Sequence, residues 1–202
     1  MNRLLNFFTR KKPQTITIVS GLPRSGTSLL MKMLEAGGIP PLTDNQRTPD
    51  ADNPKGYYEL ERVKKLPEGD TKWLDDVNGK AVKIISALLP YLPESYNFRI
   101  IFMERDINEI LISQKKMLVH RGEDSKKVSD QKLSSLFSGH LRETENWLQE
   151  HRQHIRYLKI NYNDLLNNNT LIISSINDFL GGELRTDLMS SVIDPSLYRS
   201  KA

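Results

Sequence analysis

The first regular pattern of apolar positions begins at Thr15, where a β-branched run to Val19 leads into the small residues Ser20 to Gly26. Leu29, Leu30, Met33 and Leu34 then recur at helical spacing until Gly37 and Gly38 interrupt them. Strand, glycine loop and helix are predicted in that order. Residues 39 to 56 carry Pro40, Pro41, Pro49 and Pro54 among Asp, Asn and Thr, the composition of a long loop. Two short helices are expected near Glu59 to Leu66 and Thr71 to Val77, then a strand over Ala81 to Ile85. A third strand, Phe98 to Met103, precedes a helix that Asp106 and Glu109 open with capping-box spacing and that runs to about Leu118. Leu133, Leu136, Phe137, Leu141, Trp147 and Leu148 share one face of a longer helix, and Arg156 to Ile160 reads as a further strand. Asp164 and Asn169 offer caps for the closing helices.

Strands that alternate with helices predict an α/β fold, a mostly parallel sheet flanked by helices on both faces, with ligands beyond the carboxyl ends of the strands. At 202 residues the chain fits one domain over 15–202, preceded by an arm over 1–14. Hydrophobic residues at 38% and charged residues at 27% are those of a globular chain rather than a disordered one. No cysteine is present, which excludes thiol nucleophiles and thiolate metal sites and agrees with a reducing, cytoplasmic setting. No apolar run reaches the length of a membrane span, and the arm lacks the apolar core of an export signal, although a short surface helix remains open to it. The net charge of +4 suits an anionic ligand, yet 29 basic against 25 acidic residues is too mixed for a nucleic-acid footprint.

Gly21-Leu22-Pro23-Arg24-Ser25-Gly26-Thr27-Ser28 lies between strand and helix, where backbone N–H groups surround an anion at a positive helix terminus. A nucleotide triphosphatase loop reads G-x-x-x-x-G-K-S/T, but Thr27 follows Gly26 here and Arg24 is the loop's sole cation. That departure weighs against phosphoryl transfer from ATP. The run P-R-S-G-T-S resembles the 5′-phosphosulfate loop of the sulfotransferases that use 3′-phosphoadenosine 5′-phosphosulfate (PAPS). The resemblance implies a P-loop-like three-layer sandwich, with Arg24, Ser25, Gly26, Thr27 and Ser28 around the phosphosulfate. Arg99 to Met117 resembles the family's 3′-phosphate segment, and the match implies that Arg105 and Ser113 hold that group. Asn161-Tyr162-Asn163-Asp164-Leu165 resembles the strand-ending Y-x-D-L, which implies that Tyr162 lies near the adenine; core packing is the competing role. Tyr198 to Lys201 lacks the family's R-K-G signature, so Arg199 is not carried over as a ligand.

Lys83 closes Lys80-Ala81-Val82-Lys83 and resembles the family lysine that contacts the bridging oxygen. The family's catalytic histidine position holds Ile85, so the base must come from elsewhere. Glu59 is the first candidate, with an ordinary helix N-terminal carboxylate as its alternative role, and Asp75 and Asp76 stand in reserve. His120, His140, His151 and His154 show no ligand spacing, no metal is expected, and His151 and His154 read as a solvated helix end. The leading reading is a sulfotransferase that moves a sulfuryl group from PAPS to a hydroxyl or amine, with 3′-phosphoadenosine 5′-phosphate (PAP) as product. A P-loop nucleotide kinase and a catalytically silent PAP-binding protein remain open beside it.

Overall fold

The structure, a computed structural model, describes residues 15–47, 50, 56–124 and 128–194. The arm over 1–14, Arg199 and part of the proline-rich loop lie outside the described residues. Four strands, β1 (Thr15–Gly21), β2 (Ala81–Lys83), β3 (Asn97–Glu104) and β4 (Ile155–Asn161), form one sheet in the order β2-β1-β3-β4. Every pairing is parallel. All four strands therefore deliver their carboxyl ends to one edge, where Gly21, Lys83, Glu104 and Asn161 terminate them.

Alternation along the strands divides two cores. Ile16, Ile18, Phe98, Ile100 and Phe102 face one side, where Val63, Leu66, Trp73, Leu74 and Leu89 cover them. Val19, Ile101 and Met103 face the other, beneath Leu30, Met33 and Leu34 of α1 (Thr27–Gly37). α2 (Ile107–His120) and α3 (Asp130–Glu150) pack against each other, while α4 (Tyr162–Asn167), α5 (Asn169–Leu180) and α6 (Thr186–Ser191) close the face that holds α1. The three-layer α/β arrangement expected from the sequence is the one observed.

Several local expectations need correction. The segments after the long loop are 3₁₀ helices, Glu61–Glu68 and Lys72–Val77; the first contains Pro67, which lacks an amide donor, and tight short turns are the usual outcome in such pieces. Glu59 therefore precedes its helix instead of opening it. β2 stops at Lys83, and a third 3₁₀ helix, Ser86–Tyr91, follows. Asn161, not Asp164, caps α4, its Oδ1 accepting from the amides of Asn163 and Asp164 at 2.8 and 3.1 Å. Asn169 is the first residue of α5 and gives it no side-chain cap. Leu136 points outward at 57% exposure, whereas Leu148 is buried. His151 stacks on Trp147 with ring centroids 4.7 Å apart and bonds its carbonyl through Nδ1, so this histidine is packed rather than solvated.

Candidate active site

Each strand end contributes a different kind of residue. Beyond β1 the chain turns sharply, with Gly21 at φ 149, Arg24 at φ 72 and Gly26 at φ 102. A Cβ at Gly26 would stand 2.4 Å from Cδ2 of Tyr162, so only glycine lets the loop lie against that ring. The first turn of α1 that follows has amides without intrahelical partners and no acidic side chain to occupy them. Thr27 and Ser28 thus stand at a terminus prepared for an anion.

Beyond β3, Asp106 caps α2 by accepting from the amides of Asn108 and Glu109 at 2.8 and 3.3 Å. Glu109 is not a reciprocal cap. Its buried carboxylate meets Nε of Arg105 at 2.8 Å and accepts from Asn163 Nδ2 at 3.1 Å. Arg105 is thereby fixed from one side by Glu109, while its guanidinium covers the Tyr162 ring 4.3 Å from the centroid. From Nη1 it donates to the Arg24 carbonyl at 3.1 Å. Arg24 in turn donates from Nε to Oγ of Ser113 at 2.9 Å. Two motifs far apart in sequence are one bonded cluster. Burial pushes the Tyr162 hydroxyl above its ordinary range, so the ring beneath Arg105 stays neutral.

Beyond β2, the Lys83 ammonium has a side-chain exposure of 8% and lies 3.6 Å from Glu59 Oε1. It also donates to the Tyr57 carbonyl. Burial pulls its pKa down to about 8, with the neighbouring Glu59 carboxylate opposing part of that fall. Glu59 accepts from Arg47 Nη1 at 3.0 Å, and Arg47 stacks on the Tyr57 ring 3.3 Å from its centroid. The Tyr57 hydroxyl donates to the Asp50 carboxylate, at 2.6 and 2.7 Å from its two oxygens. Sequence reasoning missed Arg47, Tyr57 and Glu109. The one available signal was the four-residue spacing of Arg105 and Glu109 across the start of α2; Arg47 and Tyr57 sit on irregular chain, which has no period to read.

A cavity of about 550 Å³ joins these clusters, lined by Arg24, Gly26, Thr27 and Ser28 together with Lys83, Glu59, Arg105, Ser113 and Tyr162. Ser25 is the exception among the expected phosphate ligands. Its amide donates to the Leu22 carbonyl at 3.1 Å, and its fully buried hydroxyl borders a separate cavity of about 300 Å³. Asp75 and Asp76 do not line the main cavity, and Asp75 accepts instead from the Tyr96 hydroxyl at 2.6 Å. Ile85, at the position where the histidine was expected, does line it and is 40% exposed. Among the described residues no three His, Asp or Glu side chains gather as a metal-holding group.

The sulfotransferase domain family matches residues 14–200, nearly the whole chain and both phosphate segments. The chain belongs to this family. Members of the family generally take their sulfuryl group from PAPS, so the nucleotide-kinase reading is set aside and sulfuryl transfer is the activity. The sulfotransferase resembles in fold the sulfotransferase domain of the Synechococcus PCC 7002 olefin synthase, with a TM-score of 0.53 and 17% identity over 96% of this chain and 86% of that one. It also resembles the sulfotransferase domain from the curacin biosynthetic pathway, with a TM-score of 0.50 and 12% identity over 88% and 77% of the two chains. At such identities the likeness is one of fold. No curated protein matches the sulfotransferase. No helix among the described residues is long and apolar enough to cross a membrane.

Proposed function

We propose that this sulfotransferase uses PAPS as its donor and sulfates a hydroxyl or amine presented inside the 550 Å³ cavity. The observation that carries the proposal is the bonded cluster of Arg24, Ser113 and Arg105, which sets two guanidinium groups and a helix N-terminus toward one cavity. A nucleotide with phosphate groups at both its 5′ and 3′ positions matches that distribution of donors. Arg24, Gly26, Thr27 and Ser28 hold the 5′-phosphosulfate in this account, and Arg105 and Ser113 hold the 3′-phosphate. Ser25 takes no direct part in this account, since it does not line the cavity. Tyr162 supports Arg105 from beneath and borders the nucleotide.

PAPS supplies an electrophilic sulfuryl group whose departure leaves PAP. Lys83 neutralises the charge that develops on the leaving phosphate oxygen, a role that suits a buried cation in a site of low polarity. Glu59 accepts the proton of the acceptor hydroxyl as the new S–O bond forms, and Arg47 and Lys83 hold its carboxylate in place. With Ile85 at the histidine position, Glu59 is the carboxylate nearest to Lys83 that also lines the cavity. Asp194 lines it too, from the chain that follows α6.

The test is PAPS turnover, read as PAP release with a panel of hydroxyl and amine acceptors, in wild type and in Glu59→Gln and Lys83→Ala. Loss of turnover with PAP binding retained supports the assignment. Wild-type enzyme that binds PAP but releases none from PAPS with any acceptor would favour the silent-binding alternative.

A further inference from the structure

The cavity contains more cations than its donor accounts for. Arg24, Lys83 and Arg105 stand deep in it, the last two with side-chain exposures of 8% and 7%. Lys64, Lys116 and Arg121 also line it, yet all three are exposed, Lys64 at 65% of its side chain. Exposure sorts the cations by depth: one set at the reacting centre, another at the solvent rim. Leu60, Val63 and Met117 add apolar lining to the same cavity, beside Gln114 and His120.

The helix period explains the rim on the α2 side. Ser113, Met117 and Arg121 succeed one another at i+4, with Lys116 beside them, so one face of α2 leads from the buried serine through a thioether to an exposed guanidinium. The 3₁₀ helix Glu61–Glu68 lines the same cavity with buried Val63 and exposed Lys64, and Leu60 precedes it. Lys64 also meets Glu61 at 2.7 Å, an exposed pair that water screens and that an incoming anion can compete with. The carboxylates that line the cavity are Glu59 and Asp194, against this whole set of cations.

Resting on the PAPS reading of the deep site, we propose that the acceptor is an amphiphile: an apolar chain with a hydroxyl at its inner end and an anionic group at its outer end. The hydroxyl lies between Glu59 and Lys83, the chain replaces water along Leu60, Val63 and Met117, and the anion sits among Lys64, Lys116 and Arg121. Rim ion pairs remain solvated, so each contributes modestly, and together they favour an anionic acceptor over its neutral analogue by about tenfold. The preference weakens as salt is raised, because exposed charges are screened beyond a Debye length of about 8 Å at physiological ionic strength.

The test uses ω-hydroxyoctanoate, ω-hydroxydecanoate and ω-hydroxydodecanoate, each against its methyl ester. Sulfation is followed with PAPS, and acceptor binding by calorimetry on enzyme saturated with PAP. The expected result is a kcat/KM about tenfold higher for the best acid than for its ester, shrinking toward unity in the Lys116→Gln, Arg121→Gln double variant and in high salt. Equal or better use of the ester by wild type overturns the proposal, as does a preference for the acid that survives the double variant. Binding of PAP without binding of any of the acids overturns it as well. Loss of PAP binding in Lys116→Gln or Arg121→Gln assigns those cations to the donor and also overturns it. Failure of wild type to bind PAP is a separate result, which overturns the donor reading underneath.

Discussion

Arg24 Nε donates to Ser113 Oγ at 2.9 Å, a bond that spans 89 positions of sequence and joins the loop after β1 to the helix after β3. Since Arg105 also reaches the Arg24 carbonyl, the two anion sites are built on shared backbone. Ser113→Ala removes the acceptor of that bond at a position with only 7% exposure. Loss of a hydrogen bond to a charged group costs about 1.5–3 kcal/mol. We expect a lower urea midpoint and a PAP affinity weakened by at least tenfold, measured by calorimetry; unchanged affinity would separate the serine from the nucleotide.

Glu109 orients Arg105 from within the protein. The pair is 2.8 Å apart, with side chains only 7% and 5% exposed. Removing one member of a buried pair strands the other, at a cost of about 3–5 kcal/mol. Glu109→Ala is therefore expected to be far less stable to urea than wild type and to regain part of that loss when PAP is added, because an anion on Arg105 replaces the missing carboxylate. Stability unaffected by the substitution would contradict the arrangement.

Lys83 gives the reaction a basic limb. Its pKa is pulled down to about 8 in the free protein, so the ammonium is present below that pH and progressively lost above it. A cation required for the leaving oxygen makes kcat/KM fall as pH rises through about 8. In kcat the limb moves upward, since the bound polyanion favours the charged lysine. Lys83→Arg is expected to abolish the limb, as a guanidinium stays charged throughout that range. Lys83→Ala loses about 10²–10³ in kcat, the scale of one preorganised stabilising group. A pH profile flat to pH 10 in wild type argues against this role.

Gly26 tests the packing of the loop. A β-carbon there meets the Tyr162 ring at 2.4 Å, and φ 102 disfavours any side chain regardless of space. Gly26→Ala combines strain of about 1–3 kcal/mol with a displaced ring under Arg105. Both thermal stability and PAP affinity are expected to fall, whereas Gly69→Ala, with an open neighbourhood and φ 83, loses stability alone. Retained PAP affinity in Gly26→Ala would contradict the close contact between loop and ring.

Much of the fold was legible in the sequence because the strands are short, strongly apolar and bounded by small or charged residues. Arg24, Arg105 and Ser113 were singled out by the family resemblance, and their convergence follows from β1 and β3 lying side by side in the sheet. Ser25 lies off the main cavity because motif position says nothing about which way a side chain turns, and its buried hydroxyl borders a separate cavity instead. Arg47 and Tyr57 were invisible because they act from irregular chain whose contacts with Glu59 and Asp50 follow from tertiary placement alone. The spacing of Glu109 from Asp106 suggests a capping partner, whereas burial beside Arg105 gives it a different one.

The most direct measurement of the central claim is the thermal shift of the purified protein with PAP, without metal, in wild type and Arg105→Ala. A ligand at one hundred times its Kd adds about 2.7 kcal/mol to the native state. For a chain of this length that amounts to about 5–10 °C in Tm. The account predicts such a rise for wild type and its loss in Arg105→Ala. No stabilisation of wild type by PAP, or an equal rise in both proteins, would contradict it.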